Sequence, residues 1–139
     1  MALDLIYAAT LRDSMLDLID VAIDAGAGVG LLRIYAGSVP ADADASVAGN
    51  TLLAQCDMAA TSGTVSSNVW TAGTIAPDTS ADAGAPTDAT FFRCVDSDAN
   101  NVLQGTVGTA SADLILNAVG ITAGDNVEVT AMAITGGNT

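Results

Sequence analysis

A change in the spacing of apolar residues divides this chain near Gly30 and limits the folds it can adopt. Between residues 11 and 25, apolar side chains recur at intervals of three and four, the period of an amphipathic α-helix: Leu11, Met15, Leu18, Ile19, Ala22 and Ile23. Gly26 follows, and glycine readily takes the left-handed conformation that ends a helix. The spacing therefore predicts one helix over residues 11–25, with a capping box formed by Thr10 and Asp13.

Beyond Gly30, short runs rich in β-branched and aromatic residues alternate with clusters of turn-forming residues. The runs cover residues 31–36, 51–58, 68–75, 90–96, 102–107, 113–117 and 127–134. The clearest hairpin joins the runs at 90–96 and 102–107. Short strands at such spacing are typical of sandwiches and barrels. We therefore expect a mainly β protein: an antiparallel β-sandwich or barrel of about seven short strands (β-body about 30–135), preceded by one N-terminal amphipathic α-helix, in a single domain over residues 1–139.

The ionisable residues exclude most familiar enzyme chemistry. The chain has no histidine and no lysine, and three arginines stand against sixteen acids, for a formal net charge of −13. The usual general base, zinc ligand and Schiff-base amine are therefore missing, and a serine or threonine nucleophile would lack an activating base. Nucleic acids and anionic membranes need clustered basic residues. We expect a protein that is not an enzyme, with no catalytic residue, cofactor or metal, and no nucleic-acid or membrane partner.

Four aspartates line up on the predicted helix. At about 100° per residue, they fall within a wedge of roughly 60° opposite the apolar side chains; they are Asp13, Asp17, Asp20 and Asp24. This acidic ridge either contacts a positively charged partner or forms a solvated helix face. The scarce arginines are each expected to have an acidic partner, within the chain or across an interface.

One acidic segment partly matches a calcium-binding loop. Asp96, Asp98 and Asn100 reproduce the opening spacing of oxygen ligands, but Asn101 and Val107 stand where the motif needs glycine and a bidentate glutamate. A hairpin turn is therefore favoured over a calcium site.

The remaining candidate residues favour structural roles. Cys56 and Cys94 fall in predicted strands, where a free thiol packs as a small apolar residue, although a disulfide stays open. Trp70 is either a core residue or a stacking platform for a sugar, with the core favoured. The glycine-rich segment at residues 26–30 follows a helix instead of opening one, so it indicates a helix end and not a phosphate loop. The N-terminus lacks the basic region of a secretory signal, and no run predicts a membrane span, so we expect synthesis in a cytoplasm.

Two stretches of the chain resemble a known class of proteins. The first runs from LRDSML at residues 11–16 through IDAG at 23–26 to LRIYAGSVP at 32–40; the second runs from FRCVDS at 92–97 to GTVG at 105–108. They resemble small virion proteins of tailed bacteriophages, and within that group they are most similar to capsid decoration, or cement, proteins.

This resemblance implies a particular partner and location. It implies attachment to the major capsid protein on the capsid exterior of the virion, often as homotrimers at local three-fold positions, where the protein stabilises the shell. A tail or baseplate β-domain is the main alternative, and a carbohydrate-binding module is a third.

Overall fold

The computed structural model describes residues 5–82 and 87–137. Within these ranges, one helix precedes ten strands. They are α1 (Ala9–Ile23), β1 (Leu31–Ala36), β2 (Thr51–Asp57), β3 (Gly63–Ser66), β4 (Val69–Ala72), β5 (Thr87–Asp88), β6 (Phe91–Val95), β7 (Asn101–Gly108), β8 (Leu114–Leu116), β9 (Gly120–Ile121) and β10 (Val129–Thr135).

The predicted fold class is confirmed: the protein is mainly β and has one N-terminal helix. Each of the seven predicted runs overlaps a strand, and the run at residues 31–36 matches β1 residue for residue. The helix begins and ends two residues earlier than predicted. Strands β3, β5 and β9, with four, two and two residues, were not predicted.

Eight of the strands form one curled sheet, in the order β2-β1-β6-β7-β8-β10-β4-β3. Neighbouring strands are antiparallel except β7 and β8, which are parallel. The sheet curls round far enough that Met58, just after β2, forms a bridge with Ile75, just after β4. Strands β5 and β9 pair separately. The architecture is therefore that of a curled, barrel-like sheet with α1 against β3 and β4.

The β3–β4 hairpin turns on two residues with left-handed backbone. Ser67 and Asn68 have φ values of 53° and 63°, and such a pair of positive angles matches the twist of two-residue hairpins. Asn68 is suited to this conformation because asparagine tolerates it better than most residues. The turn holds β3 and β4 beside the helix.

The core lies inside the curl of the sheet and is closed by the helix. Trp70 is fully buried there, as predicted. Gly63 lies against its ring, where a Cβ atom would come within 2.4 Å of the indole. Leu16 and Ile23 are the helix side chains that are buried with this core.

The two cysteines are separate buried thiols. Cys56 and Cys94 are each paired in register with Leu32, from opposite sides, so two inter-strand spacings, about 10 Å, separate them. A disulfide needs Cα atoms within about 7 Å, and both cysteines are free. Burial raises the pKa of both thiols, that of Cys94 to about 12. Both therefore pack as small apolar residues.

Candidate functional site

The helix lies on the sheet with an orientation that its sequence does not suggest. Leu16 and Ile23 are buried and Ile19 is partly buried, but Leu11 and Leu18, which belong to the predicted apolar face, are exposed. The helix is thus turned so that its acidic residues, and not its most continuous apolar row, approach the sheet.

Two of the four predicted site aspartates accept hydrogen bonds from Ser62, just before β3, and from Trp70 of β4. Asp20 Oδ1 accepts hydrogen bonds from Trp70 Nε1 and, at 2.9 Å, from Ser62 Oγ. Both oxygens of Asp24 accept the backbone N–H of Ser62 at 3.2 Å. Ser62 and Trp70 are both 0 % exposed. These carboxylates therefore satisfy buried donors that would otherwise lack an acceptor.

The other two aspartates of the ridge differ from each other. Asp13 Oδ1 accepts the backbone N–H of Asn68 at 2.7 Å and so fixes the β3–β4 turn to the helix. Asp17 is exposed. Both interpretations offered above placed the whole ridge towards solvent or a partner. The structure instead engages three of its four members within the chain, and only Asp17 stays accessible as predicted.

The start of the helix also differs from the prediction. The N-cap residue is Ala8, and no side chain caps it. Thr10 lies inside the first turn, where its carbonyl accepts the hydroxyl of Ser14, and Asp13 is committed to Asn68. The predicted capping box of Thr10 and Asp13 is therefore wrong. The prediction fails because Asp13 binds the backbone N–H of Asn68, which is distant in the sequence, instead of a group in the first turn of the helix.

The glycine segment after the helix ends it as predicted. Gly26 has a φ of 94°, a conformation that glycine adopts at little cost. The Ser97 hydroxyl accepts the N–H of Gly28 at 3.1 Å and donates to the carbonyl of Ala25. The segment is therefore a helix end that is fastened to the β6–β7 turn.

An exposed apolar face results from this orientation of the helix. Within residues 5–82 and 87–137, seven large hydrophobic side chains are exposed, and six of them lie on α1 or in the segment leading into it, with exposed fractions between 49 % and 72 %: Leu5, Ile6, Leu11, Met15, Leu18 and Val21. We call these six residues the apolar face. Single exposed hydrophobic residues are ordinary, but a concentration of them indicates an interaction site.

The calcium-like segment forms a hairpin turn, as favoured above. Asp96 Oδ1 accepts the backbone N–H groups of Asp98 and Asn100, and its Oδ2 accepts the side-chain amide of Asn100 at 2.8 Å. These bonds close the connection between β6 and β7. In the part of the chain that the structure describes, no three His, Cys, Asp or Glu side chains are grouped to hold a metal.

Two aspartates in the turns have lowered pKa values. The backbone N–H and then the hydroxyl of Thr106, both at 2.8 Å, stabilise the ionised Asp113 and lower its pKa. The side-chain amide of Asn100, followed by backbone N–H groups, lowers the pKa of Asp96. Folding therefore keeps both carboxylates charged to a lower pH than in the unfolded chain.

Stability should therefore fall in acid. Because these pKa values are lowered by folding, their stabilisation is present above the usual value of 3.8 and is lost as the pH falls through the lowered values. Urea unfolding at a series of pH values below about 6 should show this loss. Asp113→Asn should reduce the fall of the unfolding free energy at acid pH, the acid limb of the pH profile. Asp17→Asn controls for the loss of one exposed charge. An acid limb equally steep in both variants would contradict a role for Asp113.

No protein-family model, curated protein or solved structure matches the chain. Among the described residues, no helix has the length and apolar character needed to cross a membrane. The apolar face is thus the feature from which a function can be argued.

Proposed function

We propose that this is a structural virion protein that binds the outer surface of a phage capsid lattice and stabilises it, as a decoration or cement protein. The apolar face carries this proposal. In a chain with a formal net charge of −13, a concentration of exposed leucine, isoleucine, methionine and valine is best explained by contact with another protein. The resemblance at residues 11–40 and 92–108 supports the same class.

The spacing of the apolar face suits a groove on a protein surface. Leu11, Met15 and Leu18 stand at positions i, i+4 and i+7, the anchor positions by which a helix lies in an apolar groove. Burying each such side chain contributes roughly 1.5–3 kcal/mol. We therefore place the major capsid protein opposite these three residues.

The acids favour this contact by their position. Asp13, Asp20 and Asp24 accept hydrogen bonds from the sheet side of the helix, so binding through the apolar face removes none of these three carboxylates from water. Desolvating an unpaired carboxylate would oppose association. Asp17 is exposed and is the one member of the ridge that can contact the lattice directly.

A homotrimer is the second part of the proposal. Three copies around a local three-fold position bind a repeated lattice with far higher avidity than one copy, although each contact is modest. Native mass spectrometry of the free protein and of protein released from capsids checks the assembly. A monomer in both samples would contradict the trimer but would leave the lattice contact unaffected.

The alternatives differ in what they need from the molecule. A tail or baseplate β-domain would share the apolar face but would assemble as a six-fold ring or fibre. A carbohydrate-binding module needs an exposed aromatic platform, whereas Trp70 is fully buried and its Nε1 is bound by Asp20. The carbohydrate alternative therefore has no support from Trp70.

Electron microscopy of expanded capsids incubated with the pure protein tests the proposal. We expect added density on the capsid exterior, at local three-fold positions, with α1 directed towards the shell. Decorated capsids should also survive heating better than bare ones. A bare exterior at saturating protein would refute the proposal, and density confined to the tail would favour the alternative.

A further inference from the structure

Two of the three arginines of the chain lie side by side on the sheet. The β-ladder register pairs Arg33 of β1 directly with Arg93 of β6. On the outer sides, Gln55 of β2 pairs with Arg33, and Gln104 of β7 pairs with Arg93. Directly paired residues project from the same face of a sheet. These four residues therefore form one row across four strands, which we call the arginine row.

Both guanidinium groups are held by neutral acceptors. Arg33 Nε donates to Gln55 Oε1 and Arg93 Nε donates to Gln104 Oε1, each at 3.0 Å. Arg93 Nη2 also donates to the backbone carbonyl of Asp42 at 3.1 Å. Within the described residues, neither arginine forms an ion pair, and both Nη atoms of Arg33 and Nη1 of Arg93 make no hydrogen bond. The acidic partners expected for these arginines within the chain are thus absent from the described part.

Two adjacent guanidinium groups without a bound anion are energetically unfavourable. Like charges paired directly across two strands destabilise a sheet, and Arg93 is only 3 % exposed, so its charge is largely removed from water. Sixteen acids were available to neutralise the pair. The strand positions beside the arginines carry glutamine instead, which orients each guanidinium through Nε without neutralising it.

Two acids close to the row in the sequence, Asp42 and Asp57, form no ion pair with it. Asp42 Oδ1 accepts the backbone N–H groups of Asp44 and Ala45 and so builds its own turn. Asp57, two residues beyond Gln55 on β2, is exposed. Among the described residues, neither carboxylate bonds directly to the arginine row.

We propose that the arginine row binds a small, doubly charged oxyanion, such as hydrogen phosphate or a short dicarboxylate. Two guanidinium groups supply two positive charges, and the planar N–H edge of Arg33 matches the oxygen geometry of carboxylates and phosphates. Arg33 is half-buried, so its free Nη atoms can reach a ligand that enters from solvent. This site is independent of the lattice contact proposed for the apolar face.

Calorimetric titration of the purified protein with inorganic phosphate, and separately with succinate, tests the proposal at low ionic strength. We expect the wild type to bind at least one of the two anions saturably. Because Arg33→Gln loses a charged hydrogen bond to the anion, its affinity should be about ten- to a hundredfold weaker. Arg12→Gln removes the same charge from α1 and should bind as the wild type does. Arg33→Lys keeps the charge without the planar edge, so its affinity for the anion should lie between those of the wild type and Arg33→Gln.

The folded state of each variant is checked by urea unfolding, and Arg33 is chosen over the more deeply buried Arg93 for this reason. No binding of either anion to the wild type would overturn the site. Equal affinities of the wild type and of Arg33→Gln for the anion would also overturn the site. So would a variant Arg33→Gln that keeps the wild-type anion affinity and loses only self-association. Each of these results leaves the electron microscopy of the capsid contact unaffected.

Discussion

Leu18→Asp should abolish binding to capsids while lowering the stability of the free protein by no more than about 1 kcal/mol. Leu18 is 63 % exposed, so the free protein loses little buried apolar area. On the capsid, the variant loses roughly 1.5–3 kcal/mol of burial and must also desolvate a new carboxylate, which together correspond to a more than hundredfold weaker affinity. Co-sedimentation with expanded capsids measures the affinity, and urea unfolding measures the stability.

Val39→Asp is the matched control for this change. Val39 is 51 % exposed and is the one exposed large hydrophobic of the described residues outside the apolar face. It lies in the loop after β1. The same substitution there adds the same charge and should leave capsid binding within about twofold. Equal losses for the two variants would mean that added charge, and not the apolar face, governs binding.

The strands of this protein could be predicted because their signal is local. Runs of β-branched and aromatic residues between turn clusters placed seven of the ten strands, but not β3, β5 or β9. The DSDANN turn at residues 96–101 predicted the β6–β7 hairpin that the structure contains. The order of strands in the sheet could not be predicted this way. Pairs such as β4 with β10 join segments about sixty residues apart, and no turn between them fixes the pairing.

The orientation of the helix could not be predicted from its own pattern. The most continuous apolar row of the helix suggested a buried face. However, the β3–β4 region presents the backbone N–H groups of Ser62 and Asn68 and the indole N–H of Trp70, and these donors need acceptors. Their partners in the helix are 38 to 55 residues away in sequence. Satisfying these buried donors decides which face turns inward. The apolar face is then left exposed.

A signal for the arginine row was present in the sequence, although its interpretation requires the register. Arg33 and Arg93 each stand at the centre of an otherwise apolar strand, LLRIYA and FFRCV. An ionic residue in that position is unusual. Only the pairing of β1 with β6 brings the two arginines together, and it is this juxtaposition that indicates an anion site.

Asp20→Ala should be among the most destabilising substitutions in the helix, by about 3 kcal/mol. The change leaves two buried donors without an acceptor, Trp70 Nε1 and Ser62 Oγ, and each unsatisfied buried group costs about 1–3 kcal/mol. Trp70 is the single tryptophan of the chain, so its fluorescence reports directly on this contact during urea unfolding. Its emission should also shift when the carboxylate is removed.

Asp17→Ala provides the control, because Asp17 occupies the same helix face but is exposed. We expect its effect on the free energy of unfolding to stay within about 0.5 kcal/mol. In buffer in which both variants are folded, Asp20→Ala should still bind capsids, because the Asp20 side chain contacts the sheet and does not belong to the apolar face. If Asp20→Ala were no less stable than Asp17→Ala, the helix would have to be held by its apolar contacts alone, and the orientation of the acidic ridge would no longer explain why the apolar face is exposed.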